Sequence, residues 1–91
     1  SDVVISESSA ICEFLRRVPL FRSLMPNTLT ALADKMELVE FPPGEVVIRQ
    51  GDPGDKFYLI RRGEAEVVVR RDTKEEPVAT LDEGRFFGEQ A

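Results

Sequence analysis

Histidine is absent from this 91-residue chain. With it go the usual general base at neutral pH, the commonest metal ligand and every catalytic triad built on imidazole. Cysteine is limited to Cys12, so neither an internal disulfide nor a thiolate zinc site can form. Stability must come from packing, and a reducing compartment suits such a chain. Basic residues are the minority: 12 Lys and Arg against 17 Asp and Glu give a formal net charge of −5. That balance argues against nucleic acid as a partner, because phosphate backbones are held by clustered Lys and Arg. No run approaches the ~20 apolar residues that span a bilayer, and the polar start from Ser1 to Ala10 lacks the apolar core of a secretory signal. A soluble, cytoplasmic protein with no membrane partner is expected. Hydrophobic residues at 42% and charged residues at 32% fit one small domain, since a domain usually needs ~100 residues and a shorter core is marginal.

The first third carries helical spacing. Ile11, Phe14, Leu15 and Val18 recur at i, i+3, i+4 and i+7, which places one apolar stripe on one face. Ser8 or Ser9 is expected to cap that helix, and Pro19 to stop it, because the residue before a proline is pushed out of helical geometry. A short apolar turn over Leu20 to Leu24 follows. Pro26 suits the first position of a second helix, in which Leu29, Leu32, Ala33 and Met36 repeat the spacing. Beyond this the texture changes to short runs rich in Val, Ile, Phe and Tyr, separated by Gly, Pro and Asp. Strands are expected at Leu38 to Phe41, Val46 to Arg49, Phe57 to Ile60, Ala65 to Arg70 and Val78 to Leu81, with an exposed loop from Arg71 to Pro77. Strands this short and numerous indicate an antiparallel barrel or jelly roll, and helices segregated from strands exclude a βαβ nucleotide fold.

The most unusual stretch runs from Asp82 to Ala91, where a glycine turn leads into Phe86-Phe87 and then Gly88-Glu89. Gly88 permits close approach of a ligand to the main chain, and a short helix opening there would offer unpaired N–H groups to a phosphate. Glu89 can accept hydrogen bonds from sugar hydroxyls, as acidic side chains do in dinucleotide folds. Local spacing equally fits a strand end with buried Phe and a solvent-facing Glu.

The run from Phe41-Pro42-Pro43-Gly44-Glu45 through Gln50-Gly51-Asp52 to Phe57-Tyr58-Leu59-Ile60, then Gly63-Glu64-Ala65-Glu66-Val67, then Phe87-Gly88-Glu89-Gln90-Ala91, resembles the cyclic nucleotide-binding domain family. The resemblance runs from about Leu15 to Ala91 and includes the Val18-Pro19-Leu20-Phe21 helical entry. It implies a mainly β fold with N-terminal helices: a jelly-roll-like antiparallel β roll, eight-stranded in the family, that holds cyclic AMP or cyclic GMP and transmits binding through helix movement. Residues 1–37 would form the N-terminal helical segment and 38–91 the roll up to the start of the phosphate-binding cassette, together one domain. By the same resemblance Glu89 bonds the ribose 2′-hydroxyl and the Gly88 and Ala91 amides contact sugar or phosphate, with Phe87 completing the ligand-binding set. No catalytic residue, metal or cofactor is expected beyond the ligand, cGMP or cAMP. Gly51 and Gly63, expected to be buried strand glycines, match turn positions that require left-handed backbone, a scaffold role.

Family members continue past the Ala to an Arg whose guanidinium pairs with the cyclic phosphate, whereas this sequence stops at Ala91. The expectation is therefore a roll truncated before its last strands and C-terminal helices, with weak or no nucleotide binding by these residues alone. Its open strand edges would favour self-association. Phe14 to Phe21 and the charged segment Arg71 to Pro77 resemble the second nucleotide domain of cyclic GMP-dependent protein kinases, and regulatory subunits of cyclic AMP-dependent kinases are nearly as similar. The implied partners are a kinase catalytic domain or a neighbouring nucleotide domain. A nucleotide-gated regulatory module is thus expected rather than an enzyme, the alternative being a nucleotide-independent interaction scaffold on the same roll. A cupin-like metalloenzyme would need clustered His and is excluded.

Other features have plain readings. Cys12 is expected to be an inert structural or surface thiol. Asp52 and Asp55 flank a turn but fail the EF-hand spacing for calcium. Arg61-Arg62 and Arg70-Arg71 are basic pairs at strand ends that discourage edge pairing or face a kinase domain. Phe86 and Phe87 are aromatic enough to stack a base, but strand-end aromatics favour the core, and Phe87 is expected to point inward.

Overall fold

The computed structural model describes residues 7–53 and 56–88. The chain divides into two compact units, Ser1–Pro42 and Pro43–Ala91.

In the first unit, helix α1 spans Glu7–Leu15 and helix α2 spans Pro26–Asp34, and the two pack on each other. The apolar stripe expected from the sequence is the buried face: Ile11, Phe14, Leu15 and Val18 are all buried, Leu15 completely. Cys12, next to Ile11, is also buried, which selects the structural alternative over the surface one and widens the packed face by one residue. The helix has already begun at Glu7, so Ser8 and Ser9 lie in its first turn and do not cap it. The Ser8 hydroxyl instead donates to the Asp34 carboxylate at the end of α2. The Glu7 carboxylate accepts the Leu38 backbone N–H at 2.7 Å. These two contacts tie the start of α1 to the chain leaving α2.

The helix ends at Leu15, and the chain tightens before the proline: Arg17 N–H donates to the Phe14 carbonyl at 2.9 Å and Val18 N–H to the Leu15 carbonyl at 3.1 Å. Such i→i+3 bonds commonly close a helix C-terminus. Val18 is extended, at φ −87° and ψ 118°, as its place before Pro19 requires. A 3₁₀ helix over Pro19–Phe21 then supplies the expected apolar turn. Pro26 opens α2 at the first helical position, where its missing N–H costs nothing. Leu29 and Ala33 are buried, while Leu32 and Met36 are half-buried.

The second unit is built of antiparallel strand pairs: β1 (Tyr58–Leu59) pairs with β4 (Phe86–Phe87), and β2 (Ala65–Arg71) pairs with β3 (Lys74–Leu81). Helices followed by antiparallel strands are the mainly β arrangement with N-terminal helices that the sequence indicated. Three placements differ. Leu38 to Phe41 and Val46 to Arg49 lie in no ladder among the described residues, since a run of strand-forming residues becomes a strand only beside a partner. The expected loop from Arg71 to Pro77 is instead the end of β2, the hairpin tip and the first half of β3, with only Asp72 and Thr73 connecting the strands. Asp72 makes that turn at φ +58°, a left-handed conformation that Asp tolerates better than most residues.

Pro77 explains why β3 is hard to read from sequence. Proline cannot donate to a ladder, and inside sheets it is confined to edges and bulges. The register steps from Val67↔Ala79 to Val68↔Pro77, so Val78 is the extra residue of a bulge and Pro77 stands beside it. Gly51 and Gly63 have positive φ as expected, but both are exposed turn residues. Among the described residues, no helix is long and apolar enough to cross a membrane.

Candidate functional site

Of the candidate residues, Phe87 ends β4 and Gly88 follows it, and the turn before that strand fixes where it begins. Asp82 to Arg85 form the turn, closed by the Arg85 N–H donating to the Asp82 carbonyl at 3.1 Å, with Gly84 at φ +88°. The Gly84 N–H donates to the Ile60 carbonyl at 2.8 Å, and the Ile60 N–H donates to the Arg85 carbonyl at 3.0 Å. These two bonds lock β4 to β1 in the register Tyr58↔Phe87 and Leu59↔Phe86.

Successive strand side chains point to opposite faces, so Phe86 and Phe87 serve the two sides of this ribbon. Phe87 stacks on Tyr58, with ring centroids 5.0 Å apart and planes 14° from parallel. Phe86 meets Phe57 at 5.2 Å in a tilted arrangement, with 58° between the planes. Both geometries lie in the favourable range for aromatic pairs. Phe86 and Phe87 are each half-buried, and the ring face that Phe87 turns to Tyr58 is occupied by its own chain. Tyr58 is therefore a positioning residue that sequence reading passed over. Its place opposite Phe87 follows from strand register, which no local pattern reveals.

Gly88 leaves β4 at φ +110°. A Cβ built there would lie 2.6 Å from the Lys56 carbonyl oxygen and 3.4 Å from both Ile48 Cδ1 and Tyr58 Cδ2. Real Cβ atoms do not approach a backbone oxygen that closely, so the fold itself requires glycine at this point. The close approach that the sequence suggested for a ligand is made, on this side of Gly88, by the Lys56 backbone. Glu89 and Ala91 lie outside the described residues. What the structure fixes is their point of departure: a glycine held against Lys56, Ile48 and Tyr58 at the end of an aromatic-braced strand.

The Gln50-Gly51-Asp52 turn has a structural role in the same unit. The Asp52 N–H donates to the Arg49 carbonyl at 3.0 Å, and the Asp52 carboxylate accepts the Arg49 N–H at 2.9 Å. One oxygen of Asp52 is thereby committed to the backbone. Asp55 lies outside the described residues. Among the described residues no group of three or more His, Cys, Asp or Glu is placed to hold a metal ion.

Comparison with known proteins bears on this segment directly. Residues 38–91 match the model of the cyclic nucleotide-binding domain, a span that contains both strand pairs and the Gly88 departure point. Similar curated proteins include the cAMP-dependent protein kinase regulatory subunit of Emericella nidulans, 46% identical over 78 residues, covering 86% of this chain and 18% of that protein. The regulatory subunit of the same name from Blastocladiella emersonii is 44% identical over 79 residues, covering 86% of this chain and 20% of that protein. A cGMP-dependent protein kinase of Drosophila melanogaster, isozyme 2 forms cD5/T2, is 38% identical over 81 residues, covering 87% of this chain and 9% of that protein. The chain spans a fifth or less of the length of these relatives. With more than half of its residues under the family model, the chain belongs to the cyclic nucleotide-binding domain family.

Proposed function

We propose that this chain is part of a regulatory module that takes cyclic AMP or cyclic GMP at the segment Phe87 to Ala91 and controls an attached or associated protein kinase. The observation that carries the reading is the match of residues 38–91 to the cyclic nucleotide-binding domain, with the likeness to kinase regulatory subunits and a kinase pointing to the partner. In this reading Glu89 accepts the ribose 2′-hydroxyl, a charge-assisted hydrogen bond. The Gly88 and Ala91 amides serve sugar and phosphate, and Phe87 braces the strand that presents them. The close seat of Gly88 on Lys56 supports a presentation fixed before ligand arrives, so that little ordering is needed on binding. The module does no chemistry on its ligand. Its ligand binds one state of the protein better than another, which shifts the population seen by the kinase.

Calorimetric titration of cyclic AMP, cyclic GMP and the linear 5′-monophosphates into the whole polypeptide that carries these residues tests the reading. Saturable binding of a cyclic nucleotide in preference to its linear counterpart is expected, and the ratio of the two cyclic affinities names the signal. Absence of binding by both cyclic nucleotides would overturn the reading and leave an interaction scaffold on the same fold.

A further inference from the structure

The β2–β3 hairpin tip carries a motif that nucleotide binding leaves unused. Arg70 and Arg71 end β2, Asp72 turns the chain, and Thr73 follows before Lys74 opens β3. Thr73 thus has arginine at the third and second positions before it, and no other Ser or Thr in the sequence has both. Residues 70–77 are all exposed. The Arg70 side chain keeps 67% of its surface in solvent even while paired with Glu75.

We propose that Thr73 is a phosphorylation site for an arginine-directed serine/threonine protein kinase. Two sequence-adjacent guanidinium groups offer planar, two-pronged donors to carboxylates in an enzyme's substrate groove, and the acceptor hydroxyl comes two residues later, in the exposed turn between β2 and β3. A kinase groove takes an extended segment, and β2 is already extended up to Arg71. To straighten the turn, the pairs Arg71↔Lys74 and Arg70↔Glu75 must open. Every side chain in those pairs is exposed, so this end of the hairpin opens without uncovering the core. Arg70 exchanges an exposed ion pair, worth little in water, for carboxylates of the enzyme.

In the transfer, Thr73 Oγ1 attacks the γ-phosphorus of Mg-bound ATP. The bond from that phosphorus to the bridging oxygen breaks, ADP departs, and the hydroxyl proton passes to the kinase's base. The new phosphate, at about −1.5 to −2 charge, sits beside Arg71 and Lys74. The inference rests on residues 70–75 and is independent of the nucleotide reading at residues 87–91.

The test is to incubate the folded protein with Mg-ATP, saturating cyclic AMP and the catalytic subunit of a cyclic AMP-dependent protein kinase as the arginine-directed probe. The modified residue is then located by fragmentation mass spectrometry. Incorporation at Thr73 is expected, lost in Thr73→Ala and slowed by about tenfold or more in Arg70→Ala/Arg71→Ala, given the strength of charge-assisted pairs. A synthetic peptide of residues 66–77 serves as the unfolded reference. Modification of the peptide but not of the protein, modification elsewhere than Thr73, or an unchanged rate in the double arginine variant would each overturn the proposal.

Discussion

Gly88→Ala places a methyl group where the fold has no room for one, and its cost can be worked in two parts. A residue with a β-carbon held at positive φ costs about 1–3 kcal/mol, and φ +110° lies outside the narrow left-handed well near +50° to +70°. The added Cβ would stand 2.6 Å from the Lys56 carbonyl oxygen, so the backbone at Lys56 or the end of β4 must move. That movement takes with it the Tyr58–Phe87 stack, worth about 0.5–1.5 kcal/mol beyond its buried area. The combined loss is about 1.5–4.5 kcal/mol.

Gly63→Ala is the internal control. Its φ of +93° carries the backbone cost, but among the described residues no atom beyond its chain neighbours lies within 4 Å of the position its β-carbon would take, so a loss of about 1–2 kcal/mol is expected. The protein has one tyrosine and no tryptophan, so tyrosine fluorescence during urea unfolding reports from Tyr58 itself. The Gly88 variant should lose more stability than the Gly63 variant by about 1.5 kcal/mol, or roughly 6–12 °C in Tm for a domain of this size. Equal losses in the two variants would refute the close approach at Lys56.

Two further outcomes follow from the helical unit. Leu15→Ala removes a completely buried side chain and should cost about 2–5 kcal/mol, in the upper half of that range if the cavity cannot collapse, read from loss of helical circular dichroism in urea. A cost under about 1 kcal/mol, as expected of an exposed site, would contradict the packing of α1 on α2. Cys12 is buried, so an aromatic disulfide reagent should modify it about tenfold or more slowly in the native protein than in urea. Equal rates would place the thiol at the surface.

The helical unit was legible because its signals are local. The stripe of Ile11, Phe14, Leu15 and Val18 became the buried face, and Pro26 took the helix position its chemistry favours. The strands were legible only in part, because a ladder depends on a partner far away in sequence. Leu38 to Phe41 and Val46 to Arg49 have strand-forming composition, yet among the described residues neither run is paired. The Leu38 amide, for one, is taken by Glu7. The opposite error occurred at Lys74 to Pro77, where charge and proline suggested a loop. The segment is extended because it pairs with Val68 to Arg71 of β2, and its proline is accommodated beside a bulge. At the candidate site the sequence identified Gly88 as a position where something comes close, but not that the neighbour is Lys56. Which carbonyl meets a glycine is set by the register of Tyr58 on Phe87, and register is a property of the folded sheet.

In the proposed reading, nucleotide binding at the segment Phe87 to Ala91 depends above all on Glu89, and one pair of titrations reaches it directly. Cyclic AMP and cyclic GMP are titrated calorimetrically into the whole polypeptide carrying these residues and into its Glu89→Ala variant, with urea unfolding showing that both fold alike. If Glu89 holds the ribose hydroxyl, the variant should bind its preferred nucleotide weaker by about 1.5–3 kcal/mol, roughly 10- to 150-fold in Kd. An unchanged affinity would remove Glu89 from the site and contradict nucleotide binding at the segment Phe87 to Ala91.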